Sequence, residues 1–227
     1  MLLTIKLHDN IFMKTDYMFD TLIRTNFVNS ETLAEITEYL EKSKFYINPS
    51  YGDFDKFNDR GGLTDEEVAK MGIPPVPGDT LRSHRISQRE EDLSEGINKV
   101  MSEINTMCRQ LIFDIYDRKV INLGGGSVAR YENGQSLPVH QDWSITDWVK
   151  KYNLPVVHLS SVFYINDNYE GGQLCFSSKK MDAYSHDIMF MKPQAGTIIF
   201  FDALQWHAAA PVVNGKKYAV TNFYTLD

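Results

Sequence analysis

The sequence has 227 residues, of which 43% are hydrophobic and 23% are charged, as in an ordinary globular protein able to bury one core. Its formal net charge of -7 disfavours a broad basic surface for nucleic acid, and no apolar run is long enough to cross a bilayer. The N-terminus lacks the pattern of a secretion signal. The two cysteines, Cys108 and Cys175, lie in apolar settings that favour reduced thiols. We therefore expect a cytoplasmic protein with no nucleic-acid or membrane partner.

The N-terminal half is predicted to contain short strands and two helices. Residues 1–28 hold short runs in which apolar and polar residues alternate, which indicates extended structure. Residues 29–43 show helical spacing of apolar residues, and Asn29 or Ser30 can cap this helix. Residues 88–117 carry apolar residues at steps of three and four. Their one-sided stripe predicts a helix lying on the outer face of a sheet.

A long segment at 46–80 separates these helices and is dense in Gly, Pro, Asp and Asn. Thr64 and Glu67 form a capping-box pattern, and Gly72 marks the end of the short helix that this pattern predicts. A loop of this length is usually functional or mobile. Its aromatic residues can line a substrate groove or fix the loop to the core, and we favour the second interpretation. These aromatics are Tyr46, Tyr51, Phe54 and Phe57.

The C-terminal half reads as β structure, because short runs of Val, Ile, Phe, Tyr and Thr alternate with turn residues. The candidate strands are 127–132, 137–142, 157–166, 173–177, 188–192, 196–202, 206–212 and 216–225. Strands of this kind without βαβ alternation predict an antiparallel barrel or jelly roll. We expect a mainly β fold with flanking α-helices, in which 1–120 supports a jelly-roll catalytic core at 121–227 within a single domain. Residues 143–155 interrupt the core as a loop.

A candidate metal site is centred on His140 and Asp142. In an extended strand, residues two apart point to the same face, so an imidazole and a carboxylate would lie side by side. His207, in a later apolar strand, can supply a third ligand, although a lone histidine there can also be a hydrogen-bonded core residue. Two histidines and one carboxylate form the facial triad of non-haem Fe(II) oxygenases.

Lys217 is the second candidate site residue. In the predicted strand it shares a face with Ala219 and Thr221, whose small side chains leave room beside a metal. A lysine inside a barrel is costly unless an anion meets it, and a dicarboxylate cosubstrate would supply that anion. Lys216 would point outward in the same register. Tyr164 can add a hydroxyl donor to the same carboxylate.

These motifs together resemble the catalytic core of the Fe(II)/2-oxoglutarate-dependent dioxygenases, and most closely the prolyl 4-hydroxylase group. The similarity covers about 100 residues in detail, and the set of spaced motifs is more specific than any one of them. The matching stretches are Ala129-Arg130-Tyr131-Glu132-Asn133-Gly134, His140-Gln141-Asp142, Phe163-Tyr164-Ile165-Asn166, Glu170-Gly171-Gly172, Pro193-Gln194-Ala195-Gly196-Thr197 and the run from His207 through Pro211 to Lys217.

The resemblance implies a role for each matching residue. The implied iron ligands, which are also the implied catalytic residues, are His140, Asp142 and His207. Lys217 would bind the distal carboxylate of 2-oxoglutarate with the help of Tyr164. Tyr131 matches a tyrosine near the cosubstrate, and Thr221 is similar to a hydroxylic residue near the same site. The implied cofactor is Fe(II), the implied cosubstrates are 2-oxoglutarate and O2, and ascorbate is a further candidate.

The activity implied by the resemblance is hydroxylation of a prolyl residue in a protein or peptide, with consumption of O2 and release of succinate and CO2. A carboxylate at Asp142 favours a hydroxylase over the related halogenases, which have a small residue there. One alternative keeps this chemistry but acts on a free amino acid or another small metabolite. A second alternative is a non-catalytic cupin-like module that binds metal, and a weaker one is a zinc hydrolase.

Overall fold

The computed structural model describes residues 4–7, 10–13, 15, 17–43, 45–47, 86–88, 94–142, 156–177 and 188–227. The short helix predicted within 64–72 lies outside the described residues. So do the loop at 143–155 and all but the first two residues of the segment at 46–80.

Both long helices predicted from apolar spacing are present. Helix α1 spans Ser30–Lys42, and Asn29 caps it by accepting a hydrogen bond from the Thr32 backbone N–H at 2.9 Å. Helix α2 spans Glu95–Tyr116 and begins after the cap Ser94. Gly96 therefore lies inside its first turn. Each helix buries one apolar face.

In the described part of the chain, nine strands form one large antiparallel sheet. Their order across the sheet is β1-β2-β3-β12-β8-β15-β6-β5-β4. The strands are β1 (Thr4–Leu7), β2 (Asn10–Met13), β3 (Thr21–Arg24), β4 (Tyr46–Ile47), β5 (Ile86–Gln88), β6 (Val120–Tyr131), β8 (Leu159–Tyr164), β12 (Ile198–Asp202) and β15 (Lys217–Leu226). Strands from the predicted N-terminal and C-terminal regions thus share one sheet: β3 pairs with β12, and β5 pairs with β6. The single-domain assignment of 1–227 stays a prediction.

Six further strands form two smaller antiparallel sheets. One has the order β11-β10-β13-β7, and the other pairs β14 with β9. These strands are β7 (Leu137–His140), β9 (Glu170–Gly171), β10 (Leu174–Ser177), β11 (Ile188–Met191), β13 (Trp206–Ala209) and β14 (Val212–Asn214). A mainly β architecture with flanking helices confirms the predicted fold class.

The large sheet uses its two faces differently. On β15, Tyr218, Val220, Tyr224 and Leu226 belong to the main core cluster, which also contains the buried faces of α1 and α2. The opposite face meets the four-stranded sheet, where Tyr164 of β8 packs in one cluster with residues of β10 and β12. We call the space between this face and the four-stranded sheet the interior of the barrel. It lies on the side away from the helices.

Several strand boundaries differ from the prediction. Strand β6 begins at Val120, seven residues before the predicted start, and the predicted strand 206–212 is divided into β13 and β14 around Ala210 and Pro211. Proline has no backbone N–H to donate to a ladder, which favours the break.

Both cysteines are free and buried. Within the described residues, no helix is long and apolar enough to span a membrane; a cytoplasmic location stays a prediction.

Candidate metal centre and lysine site

The three candidate metal ligands come together at one end of the four-stranded sheet. His140 is the last residue of β7, and it pairs directly with His207 of β13. The sequence predicted that Asp142 lies within the strand 137–142. In the structure it lies two residues beyond the end of β7. Its position is fixed by its own backbone N–H, which donates to the Ala203 carbonyl at 2.9 Å.

The geometry brings three donor atoms to one point. His140 Nε2 lies 3.4 Å from Asp142 Oδ1, and His207 Nε2 lies 3.7 Å from Asp142 Oδ2. The two imidazole rings are 4.2 Å apart between centroids. All three ligand atoms lie within 4.8 Å of one another. Asp142 and His207 are buried, while the side chain of His140 is 28% exposed.

The protonation states at neutral pH suit metal binding. Burial raises the pKa of Asp142, but the nearby His207 and His140 outweigh it and lower the pKa to about 2. Burial and then His140 lower the pKa of His207 to about 4, against the opposing effect of Asp142. The carboxylate is therefore ionised and the His207 imidazole is neutral, as metal ligands must be.

An unpartnered oxygen shows that these residues fit a metal ion. Asp142 Oδ2 is buried, and within the described residues it has no hydrogen-bond partner. A buried carboxylate oxygen without a partner carries a desolvation cost. A divalent cation between the two Nε2 atoms and the carboxylate would remove that cost. The donor set, two imidazoles and one carboxylate, is that of non-haem Fe(II) centres.

Lys217 is the first residue of β15, and it lies directly opposite Tyr131 of β6. Its side chain is buried, with Nζ 5.0 Å from the centre of the Tyr131 ring and 5.2 Å from that of Tyr164. The ammonium donates one hydrogen bond, to the Gly172 carbonyl at 2.9 Å. The structure thus brings together the predicted cosubstrate residues Lys217, Tyr131 and Tyr164.

The charge of Lys217 has no anionic counterpart in the described part of the chain. No carboxylate of those residues forms an ion pair with it, and the residue is only 2% exposed. Burial accordingly lowers the pKa of the ammonium to about 8. The neighbouring Lys216 differs in every respect, since it is partly exposed and pairs with Glu41 at 2.6 Å. A buried cation of this kind is suited to an anionic ligand.

Aromatic side chains connect the lysine with the candidate metal centre. Tyr164 packs in one buried cluster with Phe176 and Phe201. The rings of Phe201 and Phe176 lie 4.6 Å and 6.5 Å from the ring of His207. His207 and Lys217 are therefore both part of the same barrel interior. A ligand that contacts both would be surrounded by apolar walls.

Gly172 is a site residue whose role the sequence did not reveal. Its φ is +63°, a left-handed conformation that favours glycine. A Cβ there would lie 3.0 Å from Tyr169 Cε2 and 3.2 Å from Lys217 Cδ. The motif at 170–172 drew attention only through the family resemblance. The signal in the chain was the paired glycine before β10, but a carbonyl acceptor cannot be read from residue type.

Thr221 is the last of the predicted site residues, and Trp206 is the chain neighbour of the candidate ligand His207. Thr221 is half-buried on the same face of β15 as Lys217, about four residues or 13 Å along the strand. Its side chain makes no hydrogen bond to the described residues, so its proposed role stays a prediction. Trp206 precedes His207 in β13 and therefore faces away from the interior. It packs with Val139 and Cys175 on the outer face of the four-stranded sheet.

The comparison with protein families identifies this core. Residues 126–225 match the 2OG-Fe(II) oxygenase superfamily, which confirms the resemblance seen in the motifs. Through this segment, 100 of its 227 residues, the chain is similar to members of that superfamily. Fe(II) and 2-oxoglutarate, named in the family description, agree with the predicted cofactor and cosubstrate and with the donor set at the triad.

The similar sequences include prolyl 3-hydroxylases. The chain is 27% identical over 144 residues to prolyl 3-hydroxylase 2 of Homo sapiens, and to that of Rattus norvegicus. These matches cover 60% of this chain and 20% of each relative, so the chain spans about a fifth of their length.

Solved structures share the fold. A prolyl-4-hydroxylase of Pseudomonas putida superposes with a TM-score of 0.54 at 13% identity, covering 90% of this chain and 91% of that one. A prolyl hydroxylase from Trichoplax adhaerens, in complex with a peptide fragment of the hypoxia inducible factor oxygen degradation domain, gives a TM-score of 0.57 at 15% identity. It covers 90% and 83% of the two chains.

Proposed function

We propose that this chain is a 2-oxoglutarate-dependent dioxygenase that hydroxylates a prolyl residue in a protein or peptide. The observation that carries the oxygenase assignment is that one interior holds both the His140–Asp142–His207 triad and Lys217, a buried lysine with no carboxylate partner among the described residues. A metal triad alone would serve many proteins. A triad beside an uncompensated buried cation suits a ligand that is both a metal chelator and an anion.

Each residue has a defined task in this proposal. His140, Asp142 and His207 would hold Fe(II) on one side and leave the other side open. Lys217 would bind the distal carboxylate of 2-oxoglutarate, and its hydrogen bond to Gly172 would aim the ammonium at it. Tyr131 and Tyr164 would form the walls of the cosubstrate site and exclude water from it.

The bound iron and cosubstrate would supply the oxidative chemistry, in which one oxygen atom of O2 enters the substrate and 2-oxoglutarate becomes succinate and CO2. The protein's own contribution is geometric and electrostatic. The triad keeps open coordination positions, and the lysine fixes the cosubstrate in one orientation. Ascorbate would serve as an accessory reductant.

The prolyl substrate is proposed from the relatives. The sequence relatives and two of the similar structures are prolyl hydroxylases, and one of those two structures contains a bound peptide. The sequence relatives are prolyl 3-hydroxylases, whereas the Pseudomonas putida structure is a prolyl-4-hydroxylase. We propose C4 as the position of hydroxylation, since the motifs resemble the 4-hydroxylase group.

The proposal is tested by incubating the protein with Fe(II), 2-oxoglutarate, ascorbate and a library of proline-containing peptides. Mass spectrometry should find peptides that gain one oxygen atom on proline, with one succinate formed for each. Hydrolysis and comparison with authentic 3- and 4-hydroxyproline then identify the position. The control reaction omits 2-oxoglutarate and should give neither product.

Three outcomes would contradict parts of the proposal. Succinate formed with free amino acids but never with peptides would favour the small-metabolite alternative. 3-Hydroxyproline as the product would correct the position and leave the substrate class intact. Metal binding without succinate formation under any condition would favour the non-catalytic metal-binding alternative.

A further inference from the structure

One short turn contacts the candidate metal centre through consecutive backbone carbonyls. This turn, residues 202–205, joins β12 to β13, and we call it the ligand turn. The Ala203 carbonyl accepts from the backbone N–H of Asp142 at 2.9 Å. The Leu204 carbonyl accepts from the side-chain amide of Gln141 at 2.5 Å. The segment that carries Asp142 is therefore fastened to the ligand turn at two points.

The next carbonyl of the same turn orients His207. Nδ1 of His207 lies 2.9 Å from the Gln205 carbonyl oxygen. A carbonyl oxygen only accepts, so Nδ1 carries the hydrogen and Nε2 keeps its lone pair. Nε2 is the atom that faces Asp142. One turn thus fixes the backbone of one ligand, and the ring orientation and tautomer of another.

The shape of the ligand turn depends on the side chain of Asp202. Its Oδ1 accepts from the Leu204 backbone N–H at 2.8 Å, which closes the turn from within. Its Oδ2 accepts from the Phe19 backbone N–H at 3.1 Å, 183 positions away in sequence. The residue is 4% exposed. Both carboxylate oxygens are thus used to hold backbone.

The hydrogen bond to Phe19 links the ligand turn to the C-terminal end of α2. The Phe19 ring packs edge-on against Tyr116, with 5.3 Å between centroids. Tyr116 lies at the end of α2, and its hydroxyl donates to the Asp20 carbonyl at 2.9 Å. Asp202 therefore connects Phe19, which packs against the end of α2, to the turn whose backbone carbonyls position the candidate metal ligands.

We propose that Asp202 is a positioning residue of the metal centre, which fixes Asp142 and His207 through the backbone of the ligand turn. This inference rests on the assignment of those two residues as metal ligands. The carboxylate of Asp202 itself is occupied by two N–H donors. It acts through the turn and not as a ligand, in the way that outer partners of metal ligands tune affinity.

The test is a titration of the metal-free protein with Co(II), followed by the visible absorption of the bound ion. Asp202→Asn keeps the size of the side chain but replaces one acceptor oxygen with an NH2 group. Either the Leu204 N–H or the Phe19 N–H then loses its acceptor. We expect Co(II) binding to weaken by about 10- to 100-fold, with a changed visible spectrum. Asp202→Ala, which removes both acceptors, should weaken binding further.

Asn29→Ala is the matched control. It removes another side-chain acceptor of a backbone N–H, the cap of α1, and should cost about 1 kcal/mol of stability while leaving the Co(II) affinity and spectrum unchanged. Unaltered Co(II) affinity and spectrum in Asp202→Asn would overturn the inference. An equal loss in Asn29→Ala would also overturn it, since general destabilisation would then explain the effect. Failure of the unmodified protein to bind Co(II) would instead contradict the metal site itself.

Discussion

The candidate metal centre and the lysine site lie in one interior, but the fold supports them in opposite ways. Asp142 and His207 are both positioned by backbone carbonyls of the ligand turn, which accept hydrogen bonds from the Asp142 backbone N–H and from His207 Nδ1. Lys217 has one hydrogen bond, to Gly172, and no carboxylate partner among the described residues. The first site is preorganised. The second is electrostatically incomplete.

This difference agrees with the ligand that we propose for each site. A metal ion needs fixed donor atoms, because its coordination geometry tolerates little displacement. An anionic cosubstrate needs a charge that the protein has not neutralised. Burial of the Lys217 ammonium is costly in the free protein, and the proposed anionic ligand would remove that cost. Substitutions in the two sites should therefore change the stability of the protein in opposite directions. They should also reduce its activity by different amounts.

The largest effect is expected at the metal centre. Asp142→Ala removes the only carboxylate of the triad, so we expect metal binding and product formation to fall by more than about 100-fold, the upper end of what outer partners of ligands cost. Metal titration measures the binding, and a succinate assay measures product formation. Asp114→Ala, at an exposed carboxylate of α2, is the control. Retention of both properties in Asp142→Ala would show that the ligand assignment is wrong.

The pH dependence of cosubstrate binding separates the two sites. The pKa of Lys217 is lowered to about 8 by burial, and only the ammonium form attracts a carboxylate. The dissociation constant of 2-oxoglutarate should be constant below pH 8 and rise by up to about tenfold per pH unit above it. Calorimetry with the Mn(II)-loaded protein measures it. A flat profile up to pH 9.5 would contradict the role of the lysine.

Removing the uncompensated charge should stabilise the metal-free protein. A pKa lowered from 10.5 to about 8 corresponds to about 3 kcal/mol, and loss of the bond to Gly172 offsets about 1 kcal/mol. Lys217→Met should therefore raise the free energy of unfolding by about 2 kcal/mol at pH 7. Denaturant unfolding measures this.

The size of that gain in stability also depends on pH. The folded protein binds fewer protons than the unfolded chain between pH 8 and 10.5, so the cost of the lysine disappears as the pH rises through this window. The gain in Lys217→Met should shrink accordingly. Lys216→Met, which removes an exposed ion pair, should change stability little at any pH. A destabilised Lys217→Met at pH 7 would show that the buried charge is already compensated.

The smallest effect is expected at Gly172. An alanine there must adopt a φ of +63° and place its Cβ 3.2 Å from Lys217 Cδ. We expect a loss of about 1 to 2 kcal/mol in stability and a several-fold weaker affinity for 2-oxoglutarate. Gly96→Ala, with no atom within 4 Å of the new Cβ, should stabilise α2 by up to about 1 kcal/mol. Unchanged cosubstrate affinity in Gly172→Ala would separate Gly172 from the lysine site.

Periodic patterns predicted much of this molecule. The apolar spacing of α1 and α2 and the alternation in β15 depend on contacts that repeat along one element. The pairing of His207 with His140 required only that two strands meet. Asp142 shows the limit, because its direction is set by the Ala203 carbonyl and not by the strand that was predicted to carry it.

The remaining features depend on single long-range contacts. Asp202 reads as an ordinary residue at a strand end, since the Phe19 N–H that it binds is 183 positions away. Gly172 supplies a carbonyl, a group that every residue possesses. Contacts of this kind leave no periodic trace in the sequence, so they became visible only once the fold had been described.

The most direct test of the central claim is an anaerobic titration of the Fe(II)-loaded protein with 2-oxoglutarate, followed by the visible charge-transfer absorption of a 2-keto acid bound to Fe(II). The unmodified protein and Lys216→Met should saturate at similar concentrations. Lys217→Met should require at least about tenfold more, since a charged hydrogen bond is worth about 1.5 to 3 kcal/mol. Equal saturation of both variants, or no absorption in the unmodified protein, would contradict the account.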